Sequence, residues 1–210
     1  NVADSLPSGR GGASICLLHT AYAWAQVALA LVLLAFVALF GAERWNFMVL
    51  VLALVPVSVL FLLFGAKFPP REKSAPARAS FKPFYLFAVL AVFFGYGTEV
   101  VMNQWISAFT ASLGGEAGGL IGCAAFALCL GVGGTVYSFV SGKRKDMPLF
   151  LLCASALLAA AAYIGAALAP SDLLALAFAA LCGVFAGMLS PGAMTPASDF
   201  LPRSGGWMLA

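Results

Sequence analysis

Charged residues are scarce in this sequence. Only 9% of its 210 residues are Asp, Glu, Lys or Arg, whereas a soluble domain carries about a quarter. This scarcity excludes an ordinary water-soluble fold. The net charge of +3 comes from residues between apolar runs, where anionic lipid headgroups would lie, so it does not indicate a nucleic-acid partner.

Residues and motifs that carry chemistry are also few. His19 is the only histidine, and none of the five cysteines belongs to a C-x-x-C pair or a Cys/His cluster. The hydrolase motifs G-x-S-x-G and H-E-x-x-H are absent from the sequence. We therefore expect no enzyme activity, no metal site and no cofactor, and we interpret the cysteines as packing residues.

Apolar runs make up most of the chain, which is 63% hydrophobic with a mean hydropathy of +1.02. About 20 such residues span the hydrocarbon core of a bilayer, and unpaired backbone groups there are costly, so each run is predicted to be a helix. The fold class is therefore all-α, with six membrane-spanning helices. The predicted spans are 16–40, 46–66, 84–111, 118–141, 147–169 and 173–197.

Ten of the eleven basic residues fall on one side of the membrane if the chain crosses it six times, and Arg44 is the exception. Short loops rich in Lys and Arg stay in the cytoplasm. We therefore predict a multi-pass protein of the plasma or inner membrane with both ends of this sequence cytoplasmic. The ten residues are Arg10, Lys67, Arg71, Lys73, Arg78, Lys82, Lys143, Arg144, Lys145 and Arg203.

A short motif occurs twice. Asp4 to Pro7 reads D-S-L-P and Asp199 to Pro202 reads D-F-L-P, with an offset of 199 − 4 = 195 residues and six predicted crossings between them. Some transporters consist of two six-helix repeats. On this interpretation the spans are helices five to ten of a twelve-helix protein. Residues 1–66 would end its first half, 67–82 would be a cytoplasmic linker, and 83–210 would begin its second half.

Three stretches of the sequence resemble the major facilitator superfamily, especially its sugar:proton symporters. They are the Leu17-Leu18-His19 run, the Tyr96-Gly97-Thr98-Glu99 run leading to Asn103-Gln104-Trp105, and Gly183-x-x-x-Gly187 leading to Ser190-Pro191. The resemblance implies a twelve-helix fold and alternating access to a central cavity. It also implies a monomer whose partners are protons, a small solute and the lipid bilayer.

Glu99 is the only carboxylate predicted to lie deep in a span. It is 15 residues from Phe84, or about 22 Å along a helix, which predicts a position near or slightly beyond the midplane. A charge there costs roughly 2.5–3.5 kcal/mol on insertion scales, so such a residue normally faces a cavity, a partner or a proton path. We expect Glu99 to couple transport to protons. The alternative is a neutral acid that joins two helices by a hydrogen bond.

Several polar and aromatic side chains are candidates for binding the solute. Tyr96 and Asn103 share a helix face with Glu99, and Gln104 lies toward the flank. Trp105 could stack on a sugar ring or anchor the membrane interface. In the first span Gln26 is a further candidate, and His19 is either a wetted helix-end residue or a secondary site residue.

The expected function is a secondary active transporter of a small polar solute, such as a sugar or related metabolite, driven by protons. A drug or metabolite efflux antiporter of the same fold is the first alternative. A six-span membrane protein without transport activity is the second, and the missing hydrolase motifs argue against an enzyme of that type.

Overall fold

The chain forms a bundle of long helices in the computed structural model. The structure describes residues 11–66, 83–141 and 147–200, and all of its regular elements there are helical, which confirms the all-α prediction. The helices are α1 (Gly11–Phe40), α2 (Trp45–Gly65), α3 (Pro83–Ser141), α4 (Met147–Leu168) and α5 (Asp172–Phe200). A short 3-10 turn, Ala42–Arg44, joins α1 to α2.

Five segments of these helices are long and apolar enough to cross a membrane. They are Cys16–Phe40, Ala42–Gly65, Gly118–Ser141, Leu149–Leu168 and Asp172–Ala193. They match five of the six predicted spans within a few residues. The remaining predicted span, 84–111, is helical but is not among the five.

Helix α3 reverses direction within its length. A Cβ built on Gly119 would lie 3.0 Å from the carbonyl oxygen of Ser107, and one built on Gly122 would lie 2.7 Å from Cγ2 of Thr110. In a straight helix, residues 12 apart are about 18 Å apart. Residues 83–112 (α3a) and 118–141 (α3b) are therefore two antiparallel helices, as the separate spans 84–111 and 118–141 predicted.

Helix α5 packs against α3, α4 and α1, and so holds the bundle together. Small residues let its backbone come close to α3b, because a Cβ on Gly187 would strike the carbonyl of Leu130 and one on Gly133 would strike the carbonyl of Val184. Close backbone approach of this kind increases the van der Waals contact that helps helices associate in lipid, where neighbouring tails are as apolar as leucine. Helix α2 contacts mainly the 3-10 turn.

The two ends of the bundle are distinct. At one end the thiol of Cys16, near the start of α1, is 3.5 Å from the carbonyl oxygen of Pro191 in α5, which fixes that end of α5 beside the start of α1. The other end carries the α1–α2 turn and the reversal of α3, which line one cavity of about 530 Å³. The helices thus alternate in direction, as the predicted crossings require. The basic segments 67–82 and 143–145, and the copies of the D-x-L-P motif except Asp199 and Phe200, lie outside the described residues.

Candidate functional site

Glu99 lies inside the bundle and away from its outer surface. It is 2% exposed and belongs to the buried face of α3a together with Gly95, Met102 and Ile106. These positions recur at the spacing of one helix face. A Cβ on Gly95 would be 3.5 Å from the backbone of Leu189, so this face is turned toward α5. The carboxyl group therefore faces neighbouring helices and not lipid tails.

Three helices meet at the Glu99 carboxyl. The Oγ atom of Ser190 in α5 donates a hydrogen bond to Glu99 Oε2, with a length of 2.9 Å. Nε2 of His19 in α1 is 3.7 Å from the same oxygen. That distance is within ion-pair range but too long for a direct hydrogen bond. A single carboxyl oxygen thus has a hydroxyl donor on one side and an imidazole on the other.

Glycines allow this convergence. A Cβ on Gly134 of α3b would lie 2.8 Å from Oγ1 of Thr20 and 3.2 Å from the carbonyl oxygen of Gly187, so α1, α3b and α5 touch at this level. Between them is a cavity of about 10 Å³, about the space of one water molecule. It is lined by His19, Thr20, Tyr22, Ala23, Glu99, Leu130, Gly134 and Gly187.

Tyr22 and Gln26 extend the polar surface of α1 away from Glu99. Nε2 of Gln26 donates a hydrogen bond of 2.7 Å to the hydroxyl oxygen of Tyr22. Oε1 of Gln26 is buried and has no hydrogen-bond partner in the part of the chain that the structure describes. A buried amide oxygen without a donor is uncommon, and it leaves Gln26 able to accept a hydrogen bond.

The other predicted site residues lie around this centre and not in it. Asn103 is half-buried beside the Glu99 face, and Tyr96 is exposed but close enough to Tyr22 for an electrostatic interaction. Gln104 is exposed, and Trp105 is 68% exposed. Of the seven predicted residues, the structure brings His19 and Glu99 together directly and connects Gln26 to them through Tyr22.

Glu99 lies level with His19 of α1, Gly134 of α3b and Ser190 of α5. Its position near or slightly beyond the bilayer midplane stays a prediction from the sequence.

A comparison of the chain with models of known protein families, with curated proteins and with solved structures gives no match.

Two residues next to Glu99, Ser190 and Tyr22, were not among the site residues predicted from the sequence. Ser190 appeared only in the family resemblance, and Tyr22 was not considered a site residue. The sequence separation of 91 residues between Glu99 and Ser190 gives no local signal of their contact. The pairing of the sole histidine with the sole embedded acid had a usable signal, because intramembrane ionisable groups usually pair with one another.

The side chains that meet at Glu99 are of types that donate and accept protons. Within residues 11–66, 83–141 and 147–200, no group of three His, Cys, Asp or Glu side chains is placed to hold a metal ion. The chemistry present is that of a carboxyl, an imidazole, hydroxyls and an amide. A carboxyl group enclosed by three helices is neutral when protonated and negative when deprotonated. Its electrostatic interactions with those helices differ between the two states.

Proposed function

We propose that this chain belongs to a secondary active transporter that moves a small polar solute, such as a sugar or a related metabolite, together with protons. The observation that carries the proposal is the enclosed Glu99 carboxyl at the meeting point of α1, α3 and α5. An acid in this position is expensive to keep in a membrane. A role in proton coupling explains why an acid is present there.

The surroundings of Glu99 support coupling over a purely structural role. A structural hydrogen bond between helices would be served by a neutral side chain at lower cost. The hydroxyl of Ser190 stabilises the carboxylate form, and His19 gives that form an ion-pair partner when the imidazole is protonated. The carboxylate form of Glu99 therefore has two polar partners, each on a different helix.

The fold we propose is that of the major facilitator superfamily, with α3a crossing the membrane in addition to the five long apolar segments. In that fold the spans would be helices five to ten of twelve, with residues 67–82 as the linker between halves. The alternating helix directions support it, and so does the packing of α1 on α3 and α5 while α2 makes few contacts. Helices of the other half would complete the surroundings of α2.

The solute would be bound next to the polar surface that extends from Glu99. Gln26 offers an amide oxygen that accepts no hydrogen bond from the described residues, and Tyr96 and Asn103 lie on the flank of the same region. Such groups bind hydroxyl-rich molecules through hydrogen bonds. Gln104 and Trp105 are weaker candidates because both are exposed on a different side of α3a.

Transport in proteoliposomes tests the proposal. Vesicles containing the protein are given an acidic exterior and a panel of radiolabelled hexoses, pentoses and polyols. We expect at least one solute of the panel to accumulate inside the vesicles. A protonophore should abolish this accumulation. Glu99→Gln should reduce accumulation at least about tenfold and preserve exchange of labelled for unlabelled solute. Glu43→Gln, which alters an exposed acid in the 3-10 turn, is the matched control and should transport normally.

The same vesicles distinguish the alternatives. An acidic interior should drive uptake if the protein is an efflux antiporter, because solute and proton then move in opposite directions. Full accumulation by the Glu99→Gln protein would remove Glu99 from the coupling mechanism. Absence of uptake and exchange across the panel, in either gradient, would overturn the transporter proposal for these solutes.

A further inference from the structure

Glu99 needs a route by which protons reach it. Its side chain is 3% exposed, so bulk water does not contact it freely. The Oγ–H of Ser190 already donates to Oε2, and a hydroxyl group of this kind does not take up a proton at neutral pH. The proton must therefore arrive through a neighbouring side chain that is both titratable and more accessible.

We propose that His19 is the proton-donating partner of Glu99, the residue through which its carboxyl gains and loses its proton. The inference rests on the proposed function for its physiological meaning, but the proton-transfer step is a property of this pair alone. It stands on the 3.7 Å separation of Nε2 and Oε2, on the cavity that both residues line, and on the difference in their exposure.

The exposure of the two side chains indicates the order in which an incoming proton would reach them, His19 before Glu99. His19 is 21% exposed and Glu99 is 3% exposed, so the imidazole lies between the surface of the described bundle and the enclosed carboxyl. The separation is longer than a hydrogen bond, so the pair is not held in a fixed bond. Rotation of either side chain, or a water molecule between them, would complete the path.

No other described group near Glu99 suits the task as well. The titratable neighbours are Tyr22 from α1, Tyr96 from α3 and Tyr163 from α4, whose hydroxyl donates to the carbonyl of Thr98. Phenols ordinarily change charge near pH 10, whereas imidazole does so near pH 6.5. From α5, the described group that faces the carboxyl is the hydroxyl of Ser190.

The step is a simple proton transfer. The Nε2–H bond of the imidazolium breaks and an O–H bond forms at Oε2 of Glu99, directly or through one water molecule. His19 becomes a neutral imidazole, and Glu99 becomes a neutral carboxylic acid. The imidazole then takes the next proton from the aqueous side, and the reverse sequence releases it.

Infrared difference spectroscopy tests the step without knowledge of the solute. The purified protein, reconstituted in lipid, is subjected to a rapid drop in pH, and the carbonyl stretch of protonated Glu99 is followed in time. The band is assigned by its absence from Glu99→Gln. We expect it to appear at least about tenfold more slowly in His19→Gln, while its final amplitude is retained. Leu18→Ala, a change of the exposed neighbouring residue, should match the wild-type rate.

Rescue separates proton donation from a structural role. Adding imidazole to His19→Ala should restore the rate toward that of the wild type, because the small molecule replaces the missing side chain in the cavity. A structural defect would not respond to imidazole. An unchanged rate in both His19 variants, or slow protonation that imidazole does not accelerate, would overturn the proposal. Neither result depends on transport, so failure here is distinguishable from failure of the transporter proposal.

Discussion

Gly187 and Gly97 illustrate two uses of the same residue in this bundle. A Cβ at Gly187 would run into the backbone carbonyl of Leu130, which cannot move without disturbing α3b. Gly97 is also inside a helix, but a Cβ there would meet nothing within 4 Å. The first glycine permits a helix contact, and the second occupies open space. The substitution Gly→Ala therefore measures the cost of overpacking a helix contact at Gly187 and the effect of helix propensity at Gly97.

We expect Gly187→Ala to lower the free energy of unfolding by about 1–3 kcal/mol, since the added methyl group overpacks a backbone contact. The measurement is unfolding in mixed detergent micelles, followed by tryptophan fluorescence as the fraction of denaturing detergent rises. Gly97→Ala is the matched control. It should leave stability unchanged or raise it by up to about 1 kcal/mol, because alanine favours the helix. Equal losses in the two variants would contradict the observed α3b–α5 packing.

Among the elements, α3 departs most from a simple helix. Its hydrogen-bonded helical pattern runs from Pro83 to Ser141, yet Ser107 and Gly119 face each other across the reversal. The reversal brings Glu99 into the bundle, because α3a then packs beside α3b and α5. A straight rod would separate Glu99 from Gly134 by about 52 Å.

A disulfide tests this reversal. In a protein whose five native cysteines are replaced, Ser107→Cys together with Gly119→Cys should form an intramolecular disulfide under mild oxidation, because the Cβ of Gly119 would lie 3.2 Å from Oγ of Ser107. The readout is loss of thiol labelling by a maleimide polymer on a gel. Cysteines at Ala28 and Phe40, also 12 residues apart but both exposed on α1, should both remain reactive. Labelling of both thiols in the 107/119 protein would show a straight α3.

The sequence predicted the elements better than their contacts. The apolar runs gave the helices within a few residues because the length of a membrane helix is set by bilayer thickness. The position of Glu99 relative to the other helices could not be obtained by counting from Phe84, because the offset between α1 and α3a depends on tertiary packing. The contact with Ser190 likewise depends on how α5 crosses α3a. Composition reveals that an acid is embedded, but only the packing shows which groups surround it.

For the whole molecule, the distribution of charged residues and the directions of the helices together predict its orientation in the membrane. The bundle end that carries the 3-10 turn holds Glu43, Arg44 and Asp172, whereas α3 and α5 both end, in the chain direction, beside the start of α1. In the sequence, the basic segments 67–82 and 143–145 follow the last described residues of α2 and α3. By the preference of Lys and Arg for the cytoplasm, the end with the 3-10 turn should face outward.

Cysteine labelling in intact cells checks this orientation. With the native cysteines replaced, a cysteine at Glu43 or at Ser171 should react with a membrane-impermeant maleimide added outside, because both positions are exposed in turns at the outward end. A cysteine at Ser141, where α3 ends, should react only after the membrane is permeabilised. The reverse pattern would invert the predicted orientation of the protein. Labelling of Glu43→Cys and Ser171→Cys from opposite sides would contradict the alternation of the helices itself, because both turns would then no longer share one end.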